Sequence, residues 1–332
     1  MAAALEDTAR PEAPPPAEFG GDLVTWAMWL YYGEARTQNE IARSLGVSRA
    51  SVANYLAEAR RRGLVNISIA PDTLARVGLA QRLAARYGLA GAHVLPADPE
   101  GGAEAAALRR RLGAAAAQML PPFLEDGMVL GVAWGRTMLE LARALPERSL
   151  PRATVAQVSG SSLGDAETSP EACTALIAGR LGARCRNLHA PAVVGTEGLR
   201  DALMAEPTVA RHFELTSACD AVVFGVGEIS RTTTWVDTDY ITEKVAADYV
   251  ERGAVGVLIG RFVDEAGREV EGPLAGRQIG MELDRLAAAK IRICVSGGPP
   301  KLDATRATLA GGYATHFVTD APTAAALLGE GT

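Results

Sequence analysis

From residue 71 onward the sequence alternates short, almost continuously apolar runs with longer stretches of helical periodicity, and few folds accommodate that pattern. The runs at 92–95, 128–133, 154–158, 184–189, 221–224, 255–259, 291–295 and 316–318 are strand candidates. Helical stretches at 72–87, 104–120, 138–144, 170–181, 242–252, 277–288, 302–309 and 323–328 separate most of them. Asp72 is placed to cap the first of these, and in 104–120 the residues Leu108, Leu112, Ala115 and Met119 share one face. Apolar strands separated by helices are buried on both faces, so the pattern predicts an α/β domain around a parallel sheet.

In such sheets ligands sit beyond the carboxyl ends of the strands. The segments expected there are Trp134-Gly135-Arg136-Thr137, Ser159-Gly160-Ser161-Ser162, Ala190-Pro191, Gly225-Val226-Gly227-Glu228 and Ser296-Gly297-Gly298-Pro299-Pro300-Lys301. Glycines let backbone N–H groups approach an anion, and a following helix adds its dipole. Together these segments predict a polar pocket suited to phosphate. Lysine usage sharpens the expectation: of 33 basic residues only Lys244, Lys290 and Lys301 are lysine, and Lys301 follows a paired-glycine turn. There it offers a compact point charge or an amine able to form a Schiff base. Gly225-x-Gly227 lacks a third glycine, and there is no GxxxxGK[ST], so no nucleotide cofactor is expected.

Upstream of this domain the composition changes. Residues 1–20 are small, acidic and proline-rich, and are expected to be a disordered tail. The stretch 22–32 is apolar at helical spacing through Leu23, Trp26, Ala27 and Leu30. Thr37 followed by Glu40 is a capping box, Gly46 suits a left-handed helix end, and Ser48 caps a second helix carrying Val52 and Leu56. Two short helices joined by a tight turn form a helix-turn-helix over 21–69. Ala42 lets the helices approach, and Val47 and Val52 fill the crease between them. The alternating stretch 64–70 could add a short β-wing, which would make the unit winged-helix-like.

The chain carries a net charge of −6, which argues against a nucleic-acid partner until its distribution is considered. Residues 36–63 hold six arginines and two glutamates, so a basic module is attached to an acidic body. In a helix-turn-helix the start of the second helix enters the major groove. Ser48, Arg49, Ala50, Ser51, Asn54 and Tyr55 are then the candidate base contacts, Thr37, Gln38 and Arg60, with Arg61 and Arg62, the candidate phosphate contacts. No apolar run is long enough to span a membrane, and the first residues lack the order of a signal peptide. Cys173, Cys185, Cys219 and Cys294 form no CxxC pair and the four histidines show no metal spacing, so reduced thiols, no metal and a cytoplasmic setting are expected.

The segments LYYGEARTQNEIARSLGVSRASV, RRGLVNISI, GVAWGRTM, GVGE, GAVGVLIGRFVDEAG, SGGPPK and FVTDAPTAAALL run in family order over nearly the whole chain after the tail. In them the chain resembles the SorC family of bacterial transcriptional regulators. The resemblance implies a helix-turn-helix followed by a Rossmann-like effector and oligomerisation domain, 70–332, similar to sugar-phosphate isomerases. It implies operator DNA, a phosphorylated sugar, polyol or related metabolite, and further copies of the chain, as dimers or tetramers, as partners. It also implies a phosphate loop at Gly135, Arg136 and Thr137 with Gly297, Gly298 and Lys301 beside it. Gly225, Gly227 and Glu228 would form a pocket wall, and Gln157, Ser159 and Gly160 would line it too. One position departs from the pattern. Val257 stands where the family usually carries an aspartate able to bind effector hydroxyls, so the effector would be smaller, less hydroxylated, or held by Asp264 or Asp320.

Three functions fit these residues. A DNA-binding regulator uses both the basic module and the pocket. A sugar-phosphate isomerase or deaminase would use Lys301, Glu228 or an aspartate, but no close carboxylate–histidine pair occurs in a loop. An adaptor would use the helix-turn-helix on protein alone.

Overall fold

The apolar spacing around Trp26 produces α1 (Leu23–Met28), opened by Asp22, whose carboxylate accepts the Val24 N–H at 3.0 Å. It continues as a π turn over Trp29–Gly33. Next come α2 (Gln38–Leu45) and α3 (Arg49–Arg61). The Thr37–Glu40 capping box closes in both directions. Thr37 Oγ1 accepts the Glu40 N–H at 3.3 Å, and the Glu40 carboxylate accepts the Thr37 N–H at 2.8 Å. Gly46 ends α2 at φ 64°, and the Ser51 N–H donates to the Ser48 cap at 3.0 Å. Trp26, Leu30, Ile41, Leu45, Val52 and Leu56 form one buried core, with Val47 packed on it.

The structure is a computed structural model that describes residues 19–65, 70–98, 105–161, 168–229 and 242–330. Nearly all of the expected tail, and residues 66–69 of the expected β-wing, lie outside the described residues. The chain divides into two compact units, 1–70 and 71–332.

The second unit is built on a parallel sheet. Its elements in order are α4 (Pro71–Tyr87), β1 (Gly91–Leu95), α5 (Ala105–Met119), β2 (Val129–Val132), α6 (Arg136–Ala144), β3 (Thr154–Gln157), α7 (Pro170–Leu181), β4 (Arg184–Arg186), α8 (Glu197–Ala205), α9 (Pro207–Ser217), β5 (Ala221–Glu228), α10 (Glu243–Glu251), β6 (Gly256–Leu258), β7 (Arg261–Val263), α11 (Leu283–Ala288), β8 (Ile291–Val295), α12 (Leu302–Ala310), β9 (His316–Asp320) and α13 (Ala321–Leu328). The parallel strands lie in the order β1-β9-β8-β5-β2-β3-β4. Alternate residues point to opposite faces. Ala221, Val223, Ile293, Val295 and Val318 enter a core with α5, α6 and α7, whereas Val222, Phe224, Cys294 and Phe317 enter a second core with α4, α11, α12 and α13. The sheet is therefore buried on both faces, as the apolar runs require. From β2 the order runs through β3 and β4 on one side and through β5, β8 and β9 on the other. This reversal between β2 and β5 is a topological switch point, where open α/β sheets place their ligands.

Several expectations are corrected. The run 255–259 is no parallel strand: β6 and β7 form an antiparallel hairpin attached to β5. Gly225–Glu228 is the end of β5, held extended by that hairpin, rather than a loop. The helix expected over 277–288 starts only at Leu283, because Gln278 and Gly280 form bridges to Val193 and Ser159. Asp72 lies within the first turn of α4, which opens at Pro71. α8 and α9 were not anticipated.

Candidate functional site

On the first unit, Ser48, Arg49, Ala50 and Asn54 are exposed along the start of α3, as are Thr37 and Arg60. Ser51 and Gln38 are half-buried, and Tyr55 packs against the small core. Arg49 Nε donates to Gln38 Oε1 at 3.4 Å, which ties the start of α2 to the start of α3. Thr37, Gln38 and Arg49 share a shallow groove with Tyr31, Arg36 and Asn39. The three consecutive arginines are not equivalent. Arg61 and Arg62 both pair with Glu58, and Arg62 also reaches Asp22 at 3.2 Å, whereas Arg60 makes no ion pair among the described residues. One exposed face thus carries hydroxyl, amide and guanidinium groups on a rigid helix start, the chemistry that reads base edges and phosphates.

On the second unit, a cleft of about 820 Å³, its open mouth included, lies at the switch point. Gly135, Arg136 and Thr137 enter it from the end of β2 and the first turn of α6. Gly225, Gly227 and Glu228 enter from the end of β5, and Lys301 from the turn before α12. No side chain caps α6, whose N-terminus therefore presents backbone N–H groups and a positive dipole end. Burial pulls the Lys301 ammonium down to about 8; Glu228 pushes it back up, and the nearby positive charges of Arg109 and Arg136 lower it further. Three cations and one carboxylate around a helix N-terminus make a site for an anion. A dianion placed beside it would raise Lys301 towards its ordinary value.

Gly297 and Gly298 are not in the cleft wall; they shape the turn that delivers Lys301. Gly298 has φ 91°, a value closed to most side chains. A Cβ on Gly297 would lie 2.5 Å from the Asp320 carboxylate. Gln157, Ser159 and Gly160 also lie away from this cleft. Gln157 is fully buried: its amide donates to the Ser159 carbonyl at 2.7 Å and its Oε1 accepts the Leu188 N–H at 3.2 Å. Its own carbonyl accepts from His212 Nε2 at 2.7 Å, and burial holds that imidazole below its ordinary pKa range. Gly160 is pressed against the backbone of Ala192, and Ser159 faces a smaller cavity.

Val257 does line the cleft, 3 % exposed and opposite Gly227. Asp264 instead holds its own hairpin turn through the N–H groups of Ala266 and Arg268, and Asp320 accepts from Thr323 Oγ1 at 2.5 Å. Neither lines the cleft. Sequence reasoning missed Arg109 and Ile259. Arg109 sits in a run of three arginines whose members look alike, with only its place beside the buried Leu108–Leu112 face to distinguish it. The four cysteines are free, and burial raises all four thiols above their ordinary range.

A family profile described as a putative sugar-binding domain matches residues 72–329. The chain is 33 % identical to an uncharacterized transcriptional regulator of Escherichia coli K12, YjhU, over 93 % of this chain and 95 % of that one. It is 29 % identical to the sorbitol operon regulator of Klebsiella pneumoniae over 92 % of this chain and 97 % of that protein. The crystal structure of full-length SorC from Klebsiella pneumoniae superposes with a TM-score of 0.72 at 26 % identity, covering 92 % of this chain and 98 % of that one. These relatives are regulators by name, none an enzyme, and no described helix is long and apolar enough to cross a membrane. With the sugar-binding profile spanning most of its second unit and full-length regulators aligned over more than nine-tenths of its length, the chain belongs to the SorC family of bacterial transcriptional regulators.

Proposed function

We propose that this regulator binds double-stranded operator DNA through α3 and responds to a phosphorylated sugar, polyol or related metabolite held in the switch-point cleft. The observation that carries the reading is the meeting of Lys301, Arg136 and Arg109 over the uncapped N-terminus of α6. That arrangement suits a phosphate, which gains charge-assisted hydrogen bonds from guanidinium and backbone donors. The relatives named as a sorbitol operon regulator and an erythritol catabolism regulatory protein support a carbohydrate or polyol effector.

On this reading Ser48, Arg49, Ala50, Ser51, Asn54 and Tyr55 face the major groove, and Thr37, Gln38 and Arg60 contact phosphates. The regulator acts in the cytoplasm as a homo-oligomer, a dimer or tetramer, which matches a two-fold operator. An effector that prefers one quaternary arrangement shifts operator affinity by about 1–3 kcal/mol, the usual range of such coupling. Selection from a random duplex library, repeated with and without a panel of sugar and polyol phosphates, tests the proposal. The expected result is an enriched pseudo-palindrome whose retention changes with one panel member. Absence of any enriched, salt-sensitive binding overturns it.

A further inference from the structure

The helix α13 has both of its ends held by groups from other elements. It is 8 residues long, and so about 12 Å from end to end. At its first turn Thr323 Oγ1 accepts the backbone N–H of Gly298 at 2.8 Å, in the turn that delivers Lys301 to the cleft. At the other end, the last carbonyls of a helix lack intrahelical partners. The N–H groups of Glu330 and Gly329 serve those of Ala325 and Ala326. The next two are served by α4. Tyr87 Oη donates to the Leu327 carbonyl at 3.1 Å, and Arg86 Nη1 to the Leu328 carbonyl at 3.5 Å. Arg82 adds an ion pair with Glu330 at 2.7 Å. Between these ties Ala324 and Leu327 share one buried core with Leu83 of α4.

α4 is seated only along its second half. Residues 71–78 include no buried residue, and Leu74 and Val77 stand half-exposed. Leu79, Ala80, Leu83, Ala84 and Tyr87 pack on the core that α13 shares. The place of α4 on the second unit is therefore set by the half that α13 grips. α4 is also the first element of that unit, the one that follows the helix-turn-helix unit in the chain.

We infer that α13 is a relay, by which occupancy of the cleft passes from the Lys301 turn to α4. The path enters through the Gly298–Thr323 bond and leaves through Tyr87, Arg86 and Arg82. These three are positioning residues, and none of them lines the cleft. A short helix bonded at both ends moves as one piece, so a shift of the turn is carried to the far end as a small slide of packed helices. The ligand moves α4 only by as much as it prefers one position of the turn over another. The inference rests on the reading of the cleft as a phosphate site and of the first unit as the DNA reader.

Hydrogen exchange of the full chain, read by mass spectrometry with and without inorganic phosphate, erythritol 4-phosphate and sorbitol 6-phosphate, tests the relay. Calorimetry on the same samples records which ligand binds. In wild type a bound ligand is expected to slow exchange about threefold or more in 296–302, 323–328 and 80–87, and to leave β4 and α8 within about twofold. The triple variant Arg82→Ala, Arg86→Ala, Tyr87→Phe is expected to bind the same ligand within about twofold of wild type. It should keep the slowing in 296–302 and lose it in 80–87. On a selected operator its ligand-free affinity should match wild type, while the ligand-dependent change, about fivefold or more in wild type, should fall below about twofold. Slowing confined to 296–302 in wild type overturns the relay while the cleft reading stands. Equal slowing in β4 and α8 overturns it as well, because the ligand then stabilises the whole unit. A triple variant that keeps the α4 response or the full operator response overturns it too. If that variant does not fold, Tyr87→Phe decides alone, since it keeps the ring in the core: a weaker response in 80–87 supports the relay, and an unchanged one overturns it. If none of the three ligands binds wild type, the cleft reading fails and takes the relay with it.

Discussion

The backbone N–H of Gly298 donates to the hydroxyl of Thr323 at 2.8 Å. That hydroxyl in turn donates to Asp320 Oδ1 at 2.5 Å, so the start of α13 clamps the turn that carries Lys301. From the other side, Ser296 Oγ meets Thr305 Oγ1 at 2.7 Å, and Thr305 donates to the Lys301 carbonyl at 2.7 Å. The FVTDAPT segment and the SGGPPK segment are therefore one device. Replacing Thr323 by Val keeps the volume but orphans both the Gly298 N–H and an Asp320 oxygen.

Thr323→Val is accordingly expected to destabilise the second unit by about 1–3 kcal/mol, the cost of buried groups left unpaired. Urea denaturation measures that loss. Phosphate-ligand affinity should fall further than stability alone explains, because Lys301 is no longer delivered to one position. Thr323→Ser, which keeps the hydroxyl, should restore both. Failure of Ser to restore ligand affinity would remove the clamp from the account.

Lys301 makes a prediction about pH. Its folded-state value is about 8, below the ordinary lysine range, so the unfolded chain holds more protons between about 8 and 10.5. Stability conferred by this group therefore rises with pH across that window, and the burial penalty is complete below it. Binding of a dianion reverses the balance, because the bound anion restores the lysine proton. Ligand affinity should fall as pH rises through about 8, by at most about tenfold per unit. It should also fall below about pH 6, where the phosphate loses its second charge. Calorimetry in buffers of different ionisation enthalpy should show proton uptake on binding near pH 8. Lys301→Met should remove that uptake, abolish most phosphate affinity, and raise the melting temperature of the ligand-free protein.

Local chemistry decided what could be read without coordinates. The Thr37 box, the Gly46 end and the Ser48 cap are short-range rules, and each formed as spaced. Lys301 announced itself through rarity. The β6–β7 hairpin did not, because a three-residue apolar run such as Gly256–Leu258 carries no mark of parallel or antiparallel pairing. α8 went unread for a different reason: it is a short helix with no fully buried residue, and only Leu203 and Met204 pack, half-buried, on a small satellite cluster. Gln157 was legible as a polar residue at a strand end, but only the fold reveals that its hydrogen bonds go to Ser159 and Leu188.

The capping box offers a test of the first unit. Thr37→Ala removes the acceptor for the Glu40 N–H and should destabilise the helix-turn-helix by about 1 kcal/mol. Thr37→Ser should recover stability because the cap depends on the hydroxyl. If the hydroxyl also meets a DNA phosphate, Ser recovers operator affinity as well, and Thr37→Asp recovers only the stability, since its charge repels the backbone of DNA. Circular-dichroism melting and fluorescence anisotropy on a selected operator separate the two effects.

Arg49 and Asn54 should separate base reading from phosphate contact. Both are exposed on α3, and neither contributes to the small core. Arg49→Ala and Asn54→Ala should each lower the melting temperature by no more than a few degrees, because truncating an exposed side chain usually costs under about 0.5 kcal/mol. Each should weaken the selected operator by about 1–3 kcal/mol while leaving random duplex binding far less affected, the signature of a lost base contact. Arg60→Ala should behave differently. It should weaken operator and random duplex alike and reduce the slope of log affinity against log salt by about one. Arg62→Ala, whose guanidinium is occupied by Glu58 and Asp22, should change the slope less than Arg60→Ala and lower stability more. A larger slope change for Arg62 than for Arg60 would show that the ion pairs open on DNA and would reverse the assignment of the phosphate contact.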